Sequence, residues 1–308
     1  MRNALIYFVV AIAVLGGFFW SRQPSEEVRK KFVFGFIPSE QAEVITPKAE
    51  KLARLVSEKM GVEIEVVVPT EYEPLIEGLK FGHIDAAYMD GGPAWLASTK
   101  AHAEVVLAEL KDGQPYYFAE MFVKKGSDIR ELSDVVGKKI AFTSWTGSSG
   151  FIMPVGTLIQ SGIVNPNGND FIALEKSLHE TFGGYTISGG YKQSLELLIN
   201  NKADVIGGPH DLAQRFLDEQ HQDDIVSIQR FGKVPSHTIL VGEHVTDALK
   251  KSFTDAMLEL NIGENSKILD DLYGVQALVA INTQDHLGDF GPVFDAVSGI
   301  HGKIISND

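Results

Sequence analysis

The chain has 308 residues, no cysteine, 44% hydrophobic and 22% charged residues, and a formal net charge of −14. That length and apolar content suit two lobes with separate cores, while the acidic balance excludes a nucleic-acid binder, which must neutralise phosphates with basic surface. The missing thiols exclude disulfides, thiolate metal sites, a cysteine nucleophile and a lipid on an N-terminal cysteine.

Residues 4–20 (ALIYFVVAIAVLGGFFW) form an uncharged apolar run, at the short end of the roughly 17–25 residues that span a bilayer. A cleaved signal peptide is the rival reading. The bulky Phe18-Phe19-Trp20 end lacks the small residues wanted for cleavage and suits a membrane interface. An uncleaved anchor is expected, with residues 1–31 as anchor and polar tether.

Strand and helix then alternate. Residues 32–36 read as a strand, 47–60 as a helix with apolar residues at helical spacing, stopped by Gly61, and 62–68 as a strand. A helix at 72–81 ends at Gly82, and the short apolar strand 84–88 leads into Asp90-Gly91-Gly92-Pro93 and a helix at 94–100. This rhythm predicts a largely parallel sheet. Longer strands at 105–110 and 116–123 follow, the second crossing into a new region. There the pattern gives a helix at 129–135, a strand at 139–142 and helices at 151–160 and 191–200. A strand at 204–206 and a helix at 211–219 complete it. Strands at 225–230 and 237–241 return to the first region, and helices at 246–260 and 290–299 close the chain. Lobe 1 is read as 32–123 plus 235–308 and lobe 2 as 124–234, an α/β architecture with a cleft between lobes, where small ligands bind.

The chemistry concentrates in Ala141-Phe-Thr-Ser-Trp-Thr-Gly-Ser-Ser-Gly-Phe-Ile-Met-Pro154. A strand enters a loop of glycines and hydroxyls that opens into a helix, so free N–H groups and small donors meet where an anion can sit. The loop carries no base, nucleophile-activating partner or phosphate-gripping lysine. Gly150 is followed by Phe151, which excludes a Walker loop, and no G-x-S-x-G elbow or tight acid–base cluster marks a hydrolase. Binding without turnover is expected, with no cofactor. The bland alternatives stay open: a flexible connection with a helix cap, Trp145 as a core cap rather than a cleft wall, and Asp90 as a helix cap. Scattered histidines (His179, His210, His237) lie near inferred strand–loop ends. With Asp90 they offer imidazole and carboxylate to a metal, although no metal-ligand spacing supports it.

Phe34-Gly35-Phe36-Ile37-Pro38-Ser39-Glu40, Val67-Val68-Pro69-Thr70-Glu71-Tyr72, Lys80-Phe81-Gly82-His83-Ile84-Asp85, Gly147-Ser148-Ser149-Gly150 with Pro154, and Asn201-Lys202-Ala203-Asp204 together resemble the phosphonate, phosphite and phosphate binding proteins of ABC importers. The resemblance implies a two-lobe type II periplasmic-binding-protein fold. It also implies an extracytoplasmic, monomeric solute receptor that serves a permease and its ATPase and holds a small phosphorus oxyanion. By position it nominates Tyr72, Ser148, Ser149 and Gly150 as ligand-binding, and Tyr88, Asp90, Thr146, Gly147, Tyr191 and His210, at or beside the family's other ligand positions, complete the candidate set, the family's strand-end tyrosine aligning most nearly with Met89. The chain departs from the family pattern in places. Gly147 replaces the first loop hydroxyl, which Thr146 would have to supply. Tyr191 stands where the family has a histidine, and Pro209, beside His210, where it has an aspartate. A metal receptor using Asp90, His210 or His237, or a sensory ligand domain, are the alternatives.

Overall fold

The computed structural model describes residues 31–36 and 42–305. The expected anchor at 4–20, its tether and residues 37–40 lie outside them; among the described residues no helix is long and apolar enough to cross a membrane. The first sheet holds β1 (Lys31–Phe36), β2 (Glu63–Val67), β3 (Ala86–Met89), β4 (Glu104–Leu110), β10 (Thr238–Val241) and β11 (Ala277–Ala280), in the order β11-β4-β10-β3-β1-β2. The second holds β5 (Tyr116–Lys124), β6 (Lys139–Phe142), β7 (Gly184–Ile187), β8 (Val205–Pro209) and β9 (Ile225–Pro235), in the order β7-β6-β8-β5-β9.

Period-two alternation explains how β1 seats itself. Phe32, Phe34 and Phe36 are fully buried on one face, and Phe253 of helix Asp247–Leu258 stacks on Phe32 at 4.8 Å and meets Phe34 edge-on at 5.2 Å. Gly35 faces the other way, where a Cβ would meet Leu75 and Ile84; its bareness lets helix α2 (Glu73–Phe81) close on the sheet. Helix α1 (Ala42–Met60) starts before the expected residue and carries Pro47 inside it. Both α1 and α2 end at glycines with positive φ, Gly61 and Gly82, the conformation that stops a helix cleanly.

Two turns of the same kind lock the sheets. After α2, Asp85 accepts the Val33 N–H at 2.8 Å and contacts His244 Nε2 at 3.0 Å. After helix α6 (Tyr191–Ile199), Asp204 accepts the Lys139 N–H at 2.9 Å. Each aspartate satisfies a donor on the neighbouring strand, so these turns serve the fold.

Several expectations need correction. The first sheet is mixed rather than largely parallel: β1 runs parallel to β2 and β3, but β10 is antiparallel to β3 and β4, and β11 to β4. Strand β5, counted with the first lobe, bonds only within the second sheet, as does β9 along its whole length to Pro235. Helix α5 (Phe171–Thr181), strands β7 and β11, and helices Ser266–Tyr273 and Thr283–Leu287 were not anticipated. His179 lies inside α5, not at a strand end.

The chain passes between the sheets at 111–115 and 236–237. Ser236 ties these passages together: its hydroxyl lies 2.6 Å from the Glu109 carbonyl and 2.8 Å from that of Pro115, and its N–H donates to Pro115 at 3.1 Å. The Ser236 carbonyl sits 2.9 Å from His286 Nε2. A third span runs through helix α8 (Gly291–Ala296). On one side Trp95 of helix α3 (Gly91–Lys100) donates to Asp295 at 2.9 Å. On the other, Gln160 of helix α4 (Met153–Gln160) donates to the Pro292 carbonyl at 3.1 Å. A Cβ on Gly156 would meet Val293 Cγ1 at 2.6 Å, so α8 lies directly on α4.

Candidate functional site

Strand β6 delivers the chain to the hydroxyl-rich loop, and Ser148–Ile152 turn as a single π-helical turn before α4. The Phe151 and Ile152 N–H groups both bond to the Gly147 carbonyl, at 2.9 and 3.0 Å. The N–H groups of Ser148, Ser149 and Gly150 precede them at the open end of the turn, the position that receives acceptors from outside a helix. The glycines have a local cause. A Cβ at Gly147 would meet Thr143 Oγ1 at 2.6 Å, and one at Gly150 would come within 2.9 Å of Thr143 Cβ, with Oγ1 nearer still. The absent hydroxyl at position 147 therefore reflects the buried Thr143 behind it. Trp145 packs edge-on against Phe151, Phe171 and Tyr185 at 5.1, 4.8 and 5.9 Å, which resolves it as a core cap. Thr146 is exposed on the loop.

Ser149 is fully buried, and its Oγ lies 2.7 Å from the Tyr191 hydroxyl at the start of α6. Tyr117, on β5, joins this pair. Burial pushes its phenol well up, the Tyr191 neighbour pushes the same way, and a hydrogen-bonding Ser149 side chain opposes them. Burial raises Tyr191 as well, against hydrogen bonding from Ser149 and the Arg215 charge. Both phenols are thus held in the neutral, donating form.

A second group gathers at the C-terminal ends of β3 and β4. Asp90 occupies the N-cap position of α3, yet its side chain makes no cap bond. One oxygen accepts from Tyr72 and the other lies 2.7 Å from His237 Nε2. His237 Nδ1 faces Glu109 at 3.2 Å, and Glu109 accepts from the Tyr88 hydroxyl at 2.6 Å. Burial disfavours charge on all three groups. For His237 it is outweighed by the charges and hydrogen bonds of Asp90 and Glu109, which raise it to about 10. Burial likewise pushes Asp90 and Glu109 up, but the His237 charge and hydrogen bonds, with those of Tyr72 and Tyr88, hold both carboxyls below their ordinary range. The result is an imidazolium clamped between two carboxylates, one negative charge in excess.

The structure thus divides the expected residues into two sets. Tyr72, Tyr88 and Asp90 belong to the carboxylate group; Gly147, Ser148, Ser149, Gly150 and Tyr191 belong to the serine turn. The Asp90 charge acts on both Tyr117 and Tyr191, which puts the two sets within electrostatic reach of each other. His210 stands apart, with its ring against Phe118 and its Nδ1 3.5 Å from the Phe118 N–H. Asp90, His210 and His237 therefore do not assemble as a metal set. Both nitrogens of His237 are taken by carboxylates, and among the described residues no group of three or more His, Asp or Glu side chains is placed to hold a metal ion. Glu109 and Tyr117 were missed as neighbours of these groups, and His237 was raised only as a metal ligand. The first two sit within strand patterns that read as core, and His237 carried no motif.

The model of the phosphonate ABC transporter periplasmic substrate-binding protein family matches residues 34–286. The Escherichia coli phosphonates-binding periplasmic protein is 24% identical over 85% of this chain and 83% of its own length. The phosphate-import protein PhnD of Mycolicibacterium smegmatis is 26% identical over 54% and 51%. Among solved structures, XAC2383 from Xanthomonas citri superposes with a TM-score of 0.69 at 17% identity, covering 87% of this chain and 98% of that one. PhnD1 from Prochlorococcus marinus in complex with methylphosphonate gives 0.60 at 14% identity, covering 88% and 100%. These likenesses agree on the two-lobe periplasmic-binding-protein fold, and with the family match they place the chain: it belongs to the periplasmic substrate-binding proteins of phosphonate ABC transporters, transport components rather than enzymes.

Proposed function

We propose that this chain is a membrane-tethered extracytoplasmic receptor that binds a small phosphorus oxyanion (phosphonate-like, phosphite or phosphate) between two closing lobes and presents it to a permease driven by an ATPase. The observation that carries the reading is the serine turn: three N–H groups at an open helical end, a buried Ser149 hydroxyl, and the neutral Tyr117 and Tyr191 phenols beside it. Such donors suit phosphonyl oxygens, and hydrogen bonds to a charged acceptor are about twice as strong as neutral ones. In the ligand site we place Tyr72, Asp90, Ser148, Ser149, Gly150 and Tyr191, with Gly147 and Thr146 shaping the loop. Tyr88 and His210 act behind it, through Glu109 and Phe118 respectively. We place the lobe boundaries at the passages 111–115 and 236–237, with β5 and β9 in the second lobe. The names of the relatives, which include a phosphate-import and a phosphite binding protein, support the ligand class. The apolar run at 4–20 supports the tether.

Calorimetry of the full chain in mild detergent against phosphate, phosphite, methylphosphonate and 2-aminoethylphosphonate tests the reading. At least one should bind, and Ser149→Ala should weaken that ligand by about 10- to 100-fold, the effect of losing one charge-assisted hydrogen bond. Unchanged affinity in Ser148→Ala and Ser149→Ala would remove the serine turn from the site.

A further inference from the structure

The Ser149–Tyr191 contact joins two elements that one residue braces. The Thr143 side chain fills the space behind Gly147 and Gly150, and its carbonyl accepts the Gly189 N–H at 2.9 Å. Next to it the Ser188 N–H donates to the Phe142 carbonyl at 2.8 Å, and the Ser188 and Ser194 hydroxyls lie 2.7 Å apart. Gly189, at φ +90°, supplies the left-handed turn from β7 into α6. The start of α6 is therefore fixed on the strand that delivers the serine turn. Tyr191, the first residue of α6, brings its hydroxyl to 2.7 Å from Ser149 Oγ, and its ring lies 6.1 Å from that of Phe216.

Each hydroxyl carries one proton, and either oxygen can donate in this contact. The pair spends one proton between its members and keeps one for a third group. A phenol is the stronger donor and a serine oxygen the stronger acceptor. An anion at the turn therefore favours the arrangement in which Tyr191 donates to Ser149 and Ser149 donates outward. Passing between the two arrangements turns only the O–H bonds; neither oxygen has to move. Polarisation along such a chain strengthens its last bond, most of all where water is excluded, and Ser149 is fully buried.

We propose that Tyr191 is a positioning residue that acts on the bound oxyanion through Ser149: by donating to Ser149 Oγ it aims the Ser149 proton at a ligand oxygen. This deepens the serine-turn reading and rests on it.

The test is a double-mutant cycle, read by calorimetry of the same full-chain preparation against phosphate, phosphite and methylphosphonate. Tyr191→Phe keeps the ring beside Phe216 and removes only the hydroxyl. In the wild-type background it is expected to weaken binding by about 3- to 10-fold, the size of one neutral hydrogen bond. In the Ser149→Ala background the same change should alter affinity by less than about 2-fold, because the group it acts through is gone. Equal losses in both backgrounds would mean that Tyr191 touches the ligand itself or only shapes the site, and would overturn the proposal. Unchanged or tighter binding in Tyr191→Phe would overturn it as well. If Ser149→Ala alone still weakens the ligand, those two results leave the serine turn standing. Unchanged affinity in Ser149→Ala, or no binding of any of the three anions, would overturn both readings together.

Discussion

His237 is the residue on which the carboxylate group turns. Its imidazole is 36% exposed, yet it bridges two carboxylates whose burial it makes tolerable. Because its folded pKa is raised to about 10 from 6.5, its stabilisation is complete below pH 6.5 and fades as pH rises toward 10. Asp90 and Glu109, held low, contribute the opposite limb: their stabilisation is present above the ordinary carboxylate range and lost on acidification. His237→Gln is therefore expected to cost roughly 2 kcal/mol at pH 6, discounted for the solvent reaching the ring. The gap to wild type should narrow steadily between pH 6.5 and 10, as read by urea denaturation. A gap constant across that range would detach His237 from the two carboxylates. Little of this was legible in the chain. Asp90 read as a helix cap because its N-cap position is ordinary. Its ion-pair partner His237 comes 147 residues later in the sequence (237 − 90), a proximity that only the pairing of β10 with β3 creates.

Local elements with strong periodic or punctuating signals were readable, and those resting on tertiary support were not. Strand β6 was placed to the residue, and β1, β4, β5 and α6 to within one or two, because alternating apolar residues or helical stripes are bounded by turn residues. Strands β7 and β11 have only four residues each and lie at sheet edges, where pairing on one side alone supports them. The serine loop stood out in the chain as a candidate anion site, but its fine form was not legible, since the π turn depends on Thr143 filling the space behind two glycines. That dependence is testable as a pair. Gly150→Ala should destabilise the protein by about 1–3 kcal/mol through overpacking and weaken ligand binding. Adding Thr143→Ala, which removes both the crowding hydroxyl and the methyl, should restore part of both. Independent, additive effects in the double-mutant cycle would show that the two residues do not shape one turn.

At the scale of the whole molecule, the two-sheet division followed from the change in strand–helix rhythm, but the path of the C-terminus did not. The terminal helices were assigned to the first lobe. In the structure α8 lies against α4 beside the second sheet while remaining bonded to α3 beside the first. Gly156→Leu should pry α8 from α4, because its side chain would run into the Val293 backbone and side chain and into Val297. Spin labels on Lys51→Cys and Lys176→Cys, feasible in a chain without native thiols, would report the interlobe distance. The expected result is a longer or broader ligand-free distance and weaker methylphosphonate binding, since more of the binding free energy is spent on closure. An unchanged distance distribution would assign α8 a purely local packing role.

The Ser236 tie has its own consequence for such closure. One side chain holds both strands of the narrow waist in fixed relation, through the carbonyls of Glu109 and Pro115, and Glu109 is also a partner of His237. The passage between the sheets and the carboxylate group therefore share one residue, Glu109, through its main-chain carbonyl and its side chain respectively. On the proposed reading, a rotation of one half against the other would be felt at the Glu109 ion pair, so grip and angle would be coupled through that one residue.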